Sequence, residues 1–155
     1  MNTEVLDRVV ASKDRRKAVS KLTEQQLLAM PESDYMSAAQ LAFFRTKLET
    51  LRAEVLGHAQ RAADELRGEI TLFADPADRA TVEEEHDIEQ RTREREQKLL
   101  KQLAQAIARI GRGDYGWCEE TGDPIGIARL LARPTASFTV EAQQRQEARQ
   151  RMFGG

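Results

Sequence analysis

A chain of 155 residues suits one domain, or one small domain with an extension. It is 32% charged, 40% hydrophobic and only 5% aromatic. Much of the apolar share is alanine, which disfavours a single large core and favours long solvated helices. The formal net charge of -2 argues against a nucleic-acid-coating protein, and one cysteine, Cys118, excludes an internal disulfide framework. No apolar run approaches the roughly 20 residues of a membrane-spanning helix, and Met1-Asn2-Thr3-Glu4-Val5-Leu6-Asp7 does not read as a signal peptide. The expectation is a cytoplasmic protein.

Residues 1–34 read as a loosely ordered N-terminal arm. Its basic cluster, Lys13-Asp14-Arg15-Arg16-Lys17, has the character of a solvated tail. Thr23 with Gln26 forms a capping-box signal, and Leu22 with Leu27 the accompanying staple, so a short helix should start there and stop before Pro31. Ser37-Ala38-Ala39-Gln40 repeats the box. A long helix is predicted from it to about Leu72, with Leu41, Phe44, Leu48, Leu51, Val55, Leu66 and Ile70 at spacings of mostly three or four. Asp75-Pro76 marks a turn. A second helix is predicted from about Pro76 to Ile110, with Val82, Ile88, Leu99, Leu103, Ile107 and Ile110 on its apolar side, ended by Gly111-Arg112-Gly113-Asp114.

Two such helices joined by a tight turn make an antiparallel hairpin over 35–110, with its tip at 73–80. Pairing outward from the turn sets Leu51 near Leu100 and Leu48 near Leu103. At about 1.5 Å per residue the arm is roughly 50 Å long. Its base is rich in leucine and isoleucine, and its distal half in alanine and charge. At the tip, Asp75 is an N-cap before Pro76 at the first helical position, and Asp78 places a negative charge in the first turn. Capping alone accounts for both acids, but not for their place at the end of a thin arm.

From 111 to 155 the pattern changes to a small lobe. Trp117, Ile125, Ile127, Leu130, Leu131 and Phe138 are its candidate core; Gly116, Gly122, Pro124 and Pro134 mark turns. A last helix is predicted over about Val140–Met152, with Thr139 as N-cap. The fold class is mainly α: a long two-helix coiled-coil hairpin, a small globular lobe and a C-terminal helix.

Asp114-Tyr115-Gly116-Trp117-Cys118-Glu119-Glu120-Thr121-Gly122, with Ile125, Gly126, Arg129-Leu130 and Ala132-Arg133-Pro134-Thr135-Ala136, resembles the zinc-finger lobe of DksA-type proteins. Tyr35-Met36, Ala39-Gln40-Leu41-Ala42 and Phe44-Arg45 look like the start of that family's long arm. Asp75-Pro76-Ala77-Asp78-Arg79-Ala80 with Glu83-Glu84-Glu85 looks like its tip. The likeness covers about residues 34–150. It implies a regulator, not an enzyme, that binds RNA polymerase through the secondary channel without sequence-specific DNA binding or membrane attachment. Such a protein acts as a monomer. Asp75, Asp78 and the small Ala80 would work near the polymerase active site. Open promoter complexes would be destabilised, ribosomal RNA promoters most of all, with the alarmone ppGpp as co-regulator in the stringent response.

The departures are equally specific. A structural zinc site needs cysteine or histidine ligands. The family's four cysteine positions fall at Cys118, Thr121, Thr139 and Ala142, and His58 and His86 are expected on the arm. No zinc and no other cofactor is expected, and packing around Trp117, Ile125, Leu130 and Phe138, with Thr139 as a cap, would take the metal's part. Cys118 is either a semi-buried relic or a redox-sensitive thiol; Glu119 and Glu120 beside it disfavour a thiolate. The resemblance also implies a ppGpp and polymerase contact at Arg95, Lys98 and Arg133, while two lysine positions of the family fall at Gln102 and Gln143, which weakens a polyphosphate site. Arg91, Arg93, Arg95, Lys98 and Lys101 also fit a solvated helix face with i, i+4 partners. Arg129 has two readings, a polymerase contact or a salt bridge to Glu119 or Glu120. Two alternatives remain: a Gre-like transcript-cleavage factor, whose tip acids hold a catalytic Mg²⁺, or a helical-hairpin module with another partner.

Overall fold

The computed structural model describes residues 22–70 and 79–154, and only the backbone at 69–70 and 79–82. Helix α1 (Glu24–Ala29) opens on Thr23, whose hydroxyl accepts the N–H of Gln26 at 3.1 Å while the Gln26 side chain accepts the N–H of Thr23 at 3.0 Å. A 3-10 turn (Glu32–Asp34) leads into α2 (Ala38–Ile70). Helix α3 (Arg79–Arg112) follows, then the short α4 (Ile127–Ala132) and α5 (Val140–Phe153). The fold is mainly helical, with two long antiparallel helices of 33 and 34 residues. At about 1.5 Å rise per residue each is roughly 50 Å long. Among the described residues there is no strand, only an isolated antiparallel bridge between Trp117 and Pro124.

The chain falls into two compact units. One comprises the segment up to Leu48 and that from Ala106 onward; the other is Glu49–Gln105. In the second unit, no described residue between 49 and 102 is buried, and Leu56, Ile88 and Leu99 are exposed. A pair of helices that buries so little is held by its seam and by polar ties. One such tie is the 2.6 Å contact between His58 Nδ1 and Glu96 Oε1. It lies within one turn of the pairing expected from the tip.

The first unit holds a true core. Leu27, Phe44, Leu48, Tyr115 and Leu130 are fully buried, with Ala106, Ile110, Ile125, Ala136 and Ala142 around them. Phe44 lies 5.5 Å, ring to ring, from Tyr115. The second N-terminal box differs from its sequence signature. The Gln40 N–H reaches the Ser37 hydroxyl at only 3.4 Å, and the Gln40 side chain instead accepts the N–H of Met36 at 2.8 Å. Met36 is the one non-glycine residue with positive φ among those described, at 54°. The cap thus stabilises a tight turn, and Gln40 is buried with its amide satisfied within 3.7 Å of Met30 Sδ. The C-terminus of α3 also differs: the helix runs through Gly111 and Arg112 and stops at Gly113, with φ 82°.

Candidate functional site

The lobe is built from a tight loop, a strap and a helix. The loop spans Trp117 to Pro124. The N–H of Cys118 donates to the Asp123 carbonyl at 2.8 Å, the N–H of Gly122 to the Cys118 carbonyl at 2.9 Å, and the N–H of Ile125 to the Gly116 carbonyl at 2.9 Å. Gly122 has φ 76°, a backbone conformation that an L side chain rarely adopts. The strap, residues 134–138, has no regular structure, so its carbonyls need partners from elsewhere. Tyr115 donates its hydroxyl to Pro134 at 2.7 Å, Arg109 a guanidinium N–H to Thr135 at 3.3 Å, and Arg129 its Nε–H to Phe138 at 3.0 Å. The N–H of Glu119 donates to the Ser137 carbonyl at 2.9 Å. Burial drives the Tyr115 phenol upward against the pull of Arg109, so it stays a neutral donor.

Thr139 then caps α5, its hydroxyl accepting the N–H of Ala142 at 3.2 Å. The same hydroxyl lies 3.9 Å from Cys118 Sγ and donates to it. Cys118 is 3% exposed. Burial pushes its thiol up, but the Thr121 hydroxyl and the backbone N–H groups of Thr139, Thr121 and Glu120 outweigh it and bring the thiol down to about 7. The carboxylates of Glu119 and Glu120 are not among the groups that shift this thiol, and both are paired with arginines. Glu119 Oε1 is 3.8 Å from buried Arg109, and Glu120 Oε1 accepts from Arg145 at 3.3 Å and Arg149 at 3.0 Å. The expectation that the neighbouring acids disfavour a thiolate is thus corrected.

A C4-type corner would need a second, third and fourth thiolate. Thr121, Thr139 and Ala142 supply two neutral hydroxyls and a methyl group. Among the described residues no three His, Cys, Asp or Glu side chains come together to hold a metal ion. His58 meets Glu96, and His86 lies 4.0 Å from Glu89. This donor set does not fit zinc.

The expected core is only partly right. Ile125 and Leu130 are buried, Ile127, Leu131 and Phe138 half-buried, and Trp117 is 38% exposed. Tyr115 fills the place expected of Trp117, while the Trp117 ring meets the edge of Tyr35 at 5.2 Å. Arg129 does not pair with Glu119 or Glu120; its guanidinium holds the strap at Phe138. Arg133 is exposed at the end of α4, and Arg95 and Lys98 are exposed on α3. Asp75 and Asp78 lie outside the described residues; Ala80 lies in α3, described there by its backbone alone. The sequence assigned no bonding role to Tyr35 or Arg109, and it offered Glu120 to Arg129 where the partners are Arg145 and Arg149. Each works through long-range partners, which periodicity does not signal.

The comparisons with known proteins cover the two long helices and the lobe separately. The family described as "DnaK suppressor protein DksA, N-terminal domain" matches residues 40–110, and "Prokaryotic dksA/traR C4-type zinc finger" matches residues 113–148. The RNA polymerase-binding transcription factor DksA of Caulobacter vibrioides is 45% identical over 78% of this chain and 85% of its own length. That of Escherichia coli is 39% identical over 81% and 83%. The solved structure of transcription factor DksA2 from Pseudomonas aeruginosa is 47% identical, covers 83% of this chain and 99% of its own, and superposes with a TM-score of 0.75. The chain belongs to the DksA family.

Proposed function

We propose that this protein binds RNA polymerase through the secondary channel and destabilises open promoter complexes, ribosomal RNA promoters most of all. The single observation that carries this reading is the match to RNA polymerase-binding relatives over both the helical arm and the lobe. In this reading the hairpin carries Asp75, Asp78 and Ala80 toward the polymerase active site. The lobe and α5 dock outside. The carboxylates act by charge and position, with no covalent step.

The exposed Arg95, Lys98 and Arg133 are the proposed contacts for ppGpp and polymerase. Gln102 and Gln143, neutral where the resemblance implies lysine, make the ppGpp contribution smaller than in zinc-containing relatives. Arg129 takes a supporting part, since its guanidinium is committed to Phe138. Cys118, shielded from solvent but with a lowered thiol, is the proposed site of any redox response. The protein would act as a cytoplasmic monomer and not as an enzyme.

Competition with a Gre factor for core polymerase tests the binding step. The reading predicts displacement at micromolar concentration or below; no displacement would reject it. Transcript shortening in a stalled elongation complex would instead favour the cleavage-factor alternative.

A further inference from the structure

The lobe matches a C4-type zinc-finger family over residues 113–148, yet its described residues bring together no set of metal ligands, so another contact must orient α5. Thr139 and Ala142 fix only its first turn. The polar contact of Thr139 with Cys118 is weak at 3.9 Å, and Ala142 adds its buried methyl group. A helix held at one end can still pivot. Arg145 and Arg149 stand one and two turns further along, spaced i, i+4 and hence on one face. Both donate to the same oxygen of Glu120, at 3.3 and 3.0 Å. Glu120 itself sits in the loop between Cys118 and Thr121, and its side chain is only 24% exposed.

We infer that Glu120 is a positioning residue whose carboxylate, gripped by Arg145 and Arg149, fixes the direction of α5 against the loop in place of a metal. Two contacts a turn apart define an axis, where one contact at Thr139 defines only a pivot. Charge-assisted hydrogen bonds that share an oxygen outlast an isolated surface pair, because the carboxylate is already ordered by the first arginine when it meets the second. The clamp lies within the lobe and stands whether or not polymerase is the partner.

The test uses the full chain and two variants, Glu120→Gln and the double variant Arg145→Gln with Arg149→Gln. Hydrogen exchange of the α5 amides and the rate at which Cys118 reacts with a small aromatic disulfide both report local opening. Each variant should speed α5 exchange about threefold to tenfold, with amides at the base of α2 unchanged. Both should also speed the Cys118 reaction. The variants change the charge near the sulfur in opposite directions, so a purely electrostatic effect would split them.

A third arm restores Thr121→Cys, Thr139→Cys and Ala142→Cys and loads zinc. In that background Glu120→Gln should leave α5 exchange unchanged. Unaltered exchange in both variants would overturn the inference. So would a loosening that the base of α2 shares equally, or an effect of Glu120→Gln that persists at full size beside bound zinc.

Discussion

The Tyr35 hydroxyl donates to the carbonyl of Gly116 at 2.5 Å and accepts the N–H of Gly126 at 3.0 Å. One side chain thus joins the segment before α2 to both ends of the loop from Trp117 to Pro124. Burial raises the Tyr35 phenol, against the two backbone bonds of Gly126 and Ile125, so it stays neutral and can play both parts. Tyr35→Phe leaves two part-buried backbone groups without that partner and should cost about 1–3 kcal/mol in denaturant unfolding. Gly116→Ala should cost about 2 kcal/mol or more, since φ there is 89° and a Cβ would run into the Met36 thioether. A cost below that of an average surface substitution in both would contradict this view of the lobe.

Arg109 and Glu119 form an asymmetric pair. Arg109 is 7% exposed and also holds the Thr135 carbonyl, whereas the Glu119 side chain is 51% exposed. Removing the arginine takes away packing and the strap's partner. Removing the acid takes away a long, solvated ion pair. Arg109→Ala should therefore cost about 2–4 kcal/mol and Glu119→Gln under about 1 kcal/mol in equilibrium unfolding.

Cys118 supplies a pH dependence of known sign. Its folded-state thiol lies at about 7, below the ordinary 9.0, so the folded state favours the thiolate. The resulting stabilisation is complete above about pH 9, shrinks as the pH falls, and is gone below about pH 7. Thiolate absorbance should titrate with a midpoint near 7, and Cys118→Ala should flatten that part of the stability curve. A midpoint at or above the ordinary thiol value would contradict the hydrogen-bond pattern around the sulfur.

Metal removal should do nothing. A donor set of one thiol and two hydroxyls gives a chelator nothing to extract. The melting temperature should be the same with a strong chelator and with added zinc. A fall of several degrees with chelator would show that other residues supply ligands.

The helical architecture was legible because it follows from local rules: the Thr23 and Thr139 caps, apolar spacing through Phe44 and Leu48, and the glycines of the loop. Trp117 and Tyr115 show where such rules stop. Both are large aromatics two residues apart, and which one is buried depends on the neighbours each meets. Phe44 waits for Tyr115 inside, and Tyr35 meets Trp117 at the surface. The clamp at Glu120 was hidden for the same reason, since its arginines lie 25 and 29 residues away. The loss of the ligand set at Thr121, Thr139 and Ala142 was visible by spacing once the resemblance was in hand. What stands in its place was not.

The central claim is that the tip acids act on polymerase and do more than cap a helix. Transcription in vitro from a ribosomal RNA promoter, with and without ppGpp, tests it by comparing the wild type with Asp78→Asn at concentrations where both compete equally with a Gre factor. The account predicts that the wild type inhibits and the variant binds without inhibiting. Equal inhibition by the two would contradict it and return Asp78 to the role of a first-turn charge.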